Sequence, residues 1–122
     1  MERYNPTKAA RLISDFLNDD LSNWYVRLNR KRFWVGDLTE DKLMAYQTLY
    51  ECLKTISVIS SPFIPFFSER LYNDLCLFSG GPESVHLVDF PESKLNLNSE
   101  ELERKMLYAQ KISSLVHSIR KK

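Results

Sequence analysis

Between Asn5 and Trp34 the apolar residues return every three or four positions, and that spacing limits the fold more than any other feature of the chain. Ile13, Leu17, Leu21, Trp24 and Leu28 fall on one stripe of an α-helix, where a half-buried strand would need strict alternation. Asn5 is suited to cap such a helix, and Pro6 to its first position, where a missing N–H leaves nothing unsatisfied. Carried to Trp34, the helix would be roughly 40 Å long at ~1.5 Å per residue. Val35-Gly36-Asp37 supplies its stop.

The same period recurs downstream. A second helix is expected to begin between Asp37 and Glu40, with Asp37 as cap and Glu40 reaching back to it. Leu43, Tyr46, Leu49, Tyr50, Leu53 and Ile56 would form its buried face, and Pro62 ends or kinks it. A third, shorter helix runs from about Pro65 through Phe66, Leu71, Tyr72 and Leu75, before Gly80-Gly81-Pro82 breaks the chain. Ser84 to Phe90 alternates only in part and is closed by Pro91, which predicts an extended arm lying on the bundle rather than a sheet. Asn98, with Glu101 three residues on, should cap a last helix carrying Leu102, Met106, Ala109, Ile112, Leu115, Val116 and Ile119. That helix reaches Arg120-Lys121-Lys122 without a glycine stop, as a piece of a longer chain would. The expectation is an all-α helical bundle with a short extended arm before the last helix, residues 1–122 forming one domain. A chain of 122 residues can bury one core, and 43% hydrophobic with 27% charged residues reads as globular.

Several chemistries find no support. Cys52 and Cys76 are far apart, with no CxxC spacing and no clustered histidine, so they read as thiols buried in a reducing cytoplasm, not as zinc ligands. No run approaches the ~18 apolar residues of a membrane helix, and no charged-then-apolar leader opens the chain. His86 and His117 stand alone. Asp19 and Asp20 are neighbours on a helix and do not face each other. Glycine-rich phosphate loops, Ser–His or Cys–His pairs and nucleophile elbows are missing. No catalytic residue, metal site or cofactor is expected in these residues.

The chemically informative stretch is Leu21 to Trp34. Four of the six residues from Arg27 to Arg32 are basic, and aromatic residues flank them on both sides. On a continuous helix Asn23, Arg27, Arg30, Lys31 and Trp34 share one face, about a quarter-turn from the apolar stripe. Leu12 and Phe16 lie in the same direction earlier on, so the helix is expected to be buried on two sides at its start and to emerge at its end. With a net charge of only +1, affinity for a polyanion would have to come from this local cluster. Guanidinium and ammonium groups neutralise phosphates, and an indole at a helix end suits stacking on unpaired loop bases. Composition alone leaves two other readings open: a solvated helix end favoured by the helix dipole, and a protein interface.

The residues Asp19-Asp20-Leu21-Ser22-Asn23-Trp24-Tyr25-Val26-Arg27, followed by Arg30-Lys31-Arg32-Phe33-Trp34, closely resemble the signature helix of isoleucyl-tRNA synthetases. The valyl and methionyl enzymes of the same class Ia group have looser versions of it. Lys42 to Leu53, Pro62-Phe63-Ile64-Pro65-Phe66 with Glu69 and Tyr72, and Ser84 to Pro91 agree as well, in order, over nearly the whole chain. The resemblance implies a class Ia anticodon-binding helical bundle that docks on the anticodon stem-loop of isoleucine tRNA. On it, Arg27, Arg30, Lys31 and Arg32 would grip backbone or base edges, Asn23 would hydrogen bond, and Trp34 would stack. The methionyl relative places a tryptophan at the end of its corresponding helix against an anticodon base.

The family's ATP-handling signatures, a His-x-Gly-His motif and a lysine-rich loop, are not in this sequence, and neither is its zinc-bearing C-terminal extension. ATP and magnesium are therefore implied only for a parent isoleucine–tRNA ligase, of which this chain would be a non-catalytic piece. The expected partners are isoleucine tRNA and the catalytic domain of the same parent chain, with no DNA and no membrane. The alternatives are the same domain from another class Ia synthetase, such as the valyl enzyme, and a helical protein-interaction module that offers the first helix to a partner. One departure stands out. The family usually has two adjacent basic residues after Trp-Tyr-x, whereas here Arg27 is followed by Leu28, which the helical wheel puts on the apolar stripe.

Overall fold

A computed structural model of the chain describes residues 5–34, 36–76, 81–92 and 99–120. Every regular element among them is helical, as the spacing requires. The chain groups into two compact units, Met1–Pro91 and Glu92–Lys122.

The first unit opens as predicted, with Asn5 Oδ1 accepting the Lys8 N–H at 3.0 Å and Pro6 leading helix α1, Pro6–Asp15. It does not continue as one α-helix. From Phe16 to Val26 the backbone is a π-helix, in which the N–H of Arg27, just past its end, reaches back five residues to the Ser22 carbonyl. Four-residue bonding then resumes, from Asn29 N–H to the Tyr25 carbonyl at 3.1 Å and from Phe33 N–H to the Asn29 carbonyl at 3.2 Å. The short helix α2, Arg30–Trp34, follows. A π-turn holds more than the 3.6 residues of an α-turn, so the apolar stripe slips by one position. It enters through Ile13, Leu17 and Leu21 and leaves through Tyr25, Asn29, Arg32 and Phe33. Phe33 is buried at 6% exposure, and Leu28 is 62% exposed. The placement of Leu28 on the buried stripe is thus corrected, because the wheel assumed an unbroken α-period. Leu12 and Phe16, expected under a second layer, are exposed within this unit.

Gly36 carries the turn after α2 at φ +79°, a left-handed conformation that side chains with a Cβ disfavour; Val35 lies outside the described residues. Helix α3, Glu40–Ser60, is capped by Thr39 and not by Asp37: the threonine hydroxyl accepts the Lys42 N–H at 3.3 Å. The expected face is also corrected. Ala45 and Ile56 are buried and Leu49, Tyr50 and Leu53 half-buried, while Leu43 and Tyr46 are exposed. Toward its end, α3 buries Ser57, Val58 and Ser60. The Ser57 hydroxyl donates back to the Lys54 carbonyl at 2.7 Å, which lets a polar side chain sit fully buried on a helix–helix contact.

Helix α4, Pro65–Cys76, packs along α3 and buries Ser68 and Tyr72. Tyr72, Val58 and Val85 form the core cluster, with Cys76 and Val88 against it. Val85 arrives on the predicted arm, which contains a single 3₁₀ turn, Val85–Leu87, instead of being extended throughout. Glu69 holds it in place. Its carboxylate accepts the Val85 N–H at 2.9 Å, the Ser84 hydroxyl at 3.0 Å and the Asn73 side-chain amide at 3.3 Å. The Val85 bond in particular keeps the Glu69 carboxyl below the usual carboxylate range. Neither cysteine is in a disulfide, both are half-buried and so less enclosed than the sequence suggested, and burial pushes the Cys52 thiol up.

In the second unit, helix α5 spans Glu100–Arg120 and contains the whole predicted apolar series. The described residue that caps it is Ser99, whose hydroxyl accepts the Leu102 N–H at 3.3 Å. Asn98, the expected cap, lies outside the described residues, as do Gly80, Lys121 and Lys122. No helix among the described residues is long and apolar enough to cross a membrane.

Candidate nucleic-acid interface

The basic stretch sits where the first segment returns to α-geometry and crosses the start of α3. Several contacts fasten it there. The Tyr25 hydroxyl donates to the Ala45 carbonyl and the Tyr46 hydroxyl to the Phe33 carbonyl, both at 3.0 Å. The Phe33 ring lies between these two tyrosines, at 6.1 Å edge-on to Tyr25 and 5.2 Å from Tyr46. Lys42 Nζ donates to the Gly36 carbonyl at 3.3 Å beyond the helix end. Arg32 meets Asp41 through two parallel bonds, Nε to Oδ2 at 2.7 Å and Nη2 to Oδ1 at 2.6 Å.

With Tyr25, Asn29, Arg32 and Phe33 turned toward α3, the residues between them face outward. Arg27, Arg30, Lys31 and Trp34 are separated by three, one and three positions in α-geometry and share one exposed face. No carboxylate among the described residues pairs with Arg27, Arg30 or Lys31. Trp34 is 79% exposed at the end of α2. The sequence left its placement open, and the structure puts the indole in solvent. Trp24, expected in the core, is half-buried.

Two of the six predicted residues are placed differently from the rest. Asn23 is exposed but belongs to the π-helix, so the α-wheel that aligned it with Arg27 does not hold there. Arg32 is only partly exposed, and its guanidinium is turned to the protein: besides the Asp41 carboxylate it donates to the Asp41 carbonyl at 3.1 Å and to Asn29 Oδ1 at 2.9 Å. The hydrogen bond from Arg32 is the main influence holding the Asp41 carboxyl below its ordinary range. Leu28 emerges beside Arg27, on the outer surface.

Among its described residues the face holds no Ser–His or Cys–His pair. No group of three His, Cys, Asp or Glu side chains among the described residues could hold a metal ion. What it offers is unpaired cationic charge, one exposed indole and a rigid backing. Sequence reasoning missed the backing. Tyr25, Asp41 and Tyr46 carry no local signal of that role, and Arg32–Asp41 is a pair made across a turn.

Comparison with known proteins bears on what such a face is for. Residues 1–122 match the family described as the anticodon-binding domain of tRNA ligase. The chain is 54% identical over 121 residues to the isoleucine–tRNA ligase of Bacteroides thetaiotaomicron, covering 98% of this chain and 10% of that protein. It is 57% identical over 120 residues to the Cytophaga hutchinsonii ligase of the same name, covering 97% of this chain and 11% of that protein. The corresponding Clostridium tetani protein is 50% identical over 122 residues, covering 98% and 12%. The chain thus spans about a tenth of the length of the curated relatives it matches. It belongs to the family of anticodon-binding domains of tRNA ligases.

Proposed function

We propose that this chain binds the anticodon stem-loop of isoleucine tRNA, as the tRNA-gripping part of an isoleucine–tRNA ligase. The observation that carries the proposal is the single face formed by Arg27, Arg30, Lys31 and Trp34, cationic, free of carboxylate partners among the described residues and tipped by an exposed indole. Cations on one side of a helix neutralise consecutive phosphates, and an indole at its end can receive an unstacked loop base. Asn23, one turn earlier, supplies a hydrogen-bonding amide. Arg32 is set apart from direct contact because Asp41 holds its guanidinium. Adenylate formation, with its ATP and magnesium, belongs on this reading to the other nine-tenths of the parent, and the 122 residues catalyse nothing alone.

Fluorescence anisotropy with a labelled isoleucine anticodon stem-loop and a loop-scrambled control tests this. Binding should prefer the isoleucine loop and weaken steeply between low and moderate salt. Equal affinity for both loops would reduce the chain to a backbone grip, and absence of binding at low salt would overturn the reading.

Leu28 gives a sharper form of the same test. Its exposed side chain lies beside Arg27, where the family usually has a second cation. Leu28→Arg should tighten binding and steepen the dependence of log K on log salt by roughly 0.7–0.9, the increment for one added phosphate contact. An unchanged slope would place Leu28 away from the RNA.

A second reading has its own observation, at the other end of α3. There Ala10, Ile13 and Leu17 meet Phe63 and Ile64 around a mostly apolar groove of about 240 Å³. Phe66, Phe67, Leu12 and Phe16 are exposed in the same unit. We assign this apolar surface to the remaining polypeptide of the parent ligase. Docking there should respond little to salt, which separates it from RNA binding in the same titration.

A further inference from the structure

We propose that Asp41 is a positioning residue for the RNA-binding face, acting through Arg32. The proposal rests on the reading of Arg27–Trp34 as that face. Helix α2 has five residues and is joined to the preceding segment through the Asn29–Tyr25 and Phe33–Asn29 backbone bonds, so few hydrogen bonds are its own. Its order must come from what it is tied to. Beside the buried Phe33 ring and the Tyr46–Phe33 hydrogen bond, its polar clamp is the Arg32 guanidinium, which uses Nε and Nη2 on the two carboxylate oxygens of Asp41, Nη2 again on the Asp41 carbonyl, and Nη1 on Asn29 Oδ1. The fork therefore joins the turn before α2, α2 itself and the first turn of α3. Parallel two-bond geometry of this kind fixes orientation as well as distance, as a single lysine contact would not. Arg30, Lys31 and Trp34 lie on the same five-residue helix. Holding Arg32 therefore sets the direction in which the three outward groups point.

The idea is separable from simple electrostatics because the two predict opposite signs. Asp41 is the carboxylate beside a cationic surface, and an RNA should be repelled by it. If Arg32 were a direct phosphate contact merely masked by Asp41, Asp41→Asn would release one more cation and tighten binding. If Asp41 positions the face, the same substitution loosens α2 and weakens binding, although the chain becomes more positive. The pair is too exposed, at 37% and 67% for the two side chains, to matter much to global stability.

The test uses the 122-residue chain and two variants, Asp41→Asn and Asp41→Glu, with the isoleucine anticodon stem-loop as probe. Asp41→Asn should weaken binding roughly three- to tenfold with an unchanged salt slope and an unchanged melting temperature. Asp41→Glu, which keeps a two-oxygen acceptor, should recover to within about twofold of the original. Tighter binding with a steeper slope in Asp41→Asn, or affinity unchanged, overturns the proposal. Amide exchange over residues 30–34 is followed in the same variants without RNA. It should quicken in Asp41→Asn while the middle of α3 stays protected, and exchange unaltered there also overturns the clamp. An unsubstituted 122-residue chain that binds no stem-loop removes the RNA reading, and the exchange result still decides whether Asp41 holds α2.

Discussion

Replacing Tyr72 with alanine is expected to destabilise the chain by about 3–5 kcal/mol, the largest effect of any single substitution considered. Tyr72 is 1% exposed and sits between α4, Val58 of α3 and Val85 of the arm, so its ring is the piece that three segments share. Removing it takes away apolar contact on all sides and leaves a space that two helices and a tethered arm cannot close together. Against a total stability of about 5–15 kcal/mol for a domain of this kind, such a loss populates the unfolded chain at physiological temperature. Urea unfolding followed by circular dichroism gives the number directly, the midpoint falling with the slope unchanged. Tyr72→Phe separates ring from hydroxyl. It keeps the packing of the ring and should cost no more than about 1.5 kcal/mol. A loss below about 1 kcal/mol in Tyr72→Ala would mean that the core does not run through this ring.

The helices were legible because each had a physical reason written locally. Asn5-Pro6 caps, the Pro65 start, the glycine at position 36 and the three-four spacing of apolar residues all act over a turn or two, which is the range that sequence patterns report. What escaped was non-local or register-dependent. The π-helix between Phe16 and Val26 has no residue that announces it, yet it moved the buried stripe from Leu28 to Phe33 and so decided which side chains face solvent. On α3 the apolar series named Leu43 and Tyr46 as buried. The structure instead buries Ala45, where the Tyr25 hydroxyl reaches the backbone, and leaves Tyr46 at the edge to hold Phe33. Small residues are chosen where backbones approach, and a hydrophobicity pattern does not see approach. The site followed the same division. Arg27, Arg30, Lys31 and Trp34 could be nominated, and their shared exposed face anticipated, because charge and aromaticity are visible one residue at a time. That Arg32 serves Asp41 was hidden, since a salt bridge across a turn depends on where the chain goes next.

Trp34→Ala should weaken binding of the isoleucine anticodon stem-loop by about 1–3 kcal/mol, the range found when one base loses an aromatic platform. The indole is 79% exposed, so its removal should change folding stability by no more than about 0.5 kcal/mol, and affinity and stability come apart in one variant. Stacking releases no counterions, and the salt slope should therefore stay as it was while the affinity at every salt concentration drops. That signature is the opposite of the one expected for Arg30 or Lys31, where neutralisation should flatten the slope by roughly one contact each. Trp34→Phe keeps a smaller ring and should retain part of the affinity. Fluorescence in a Trp24→Phe background reports the indole itself, which should be quenched as a base closes over it. If Trp34→Ala binds as tightly as the original chain, the grip is electrostatic alone, and recognition of the loop must come from a part of the parent beyond these residues. If it loses affinity for the isoleucine loop and for the scrambled loop equally, Trp34 is a platform that accepts any base. Loss confined to the isoleucine loop would make it a reader of sequence.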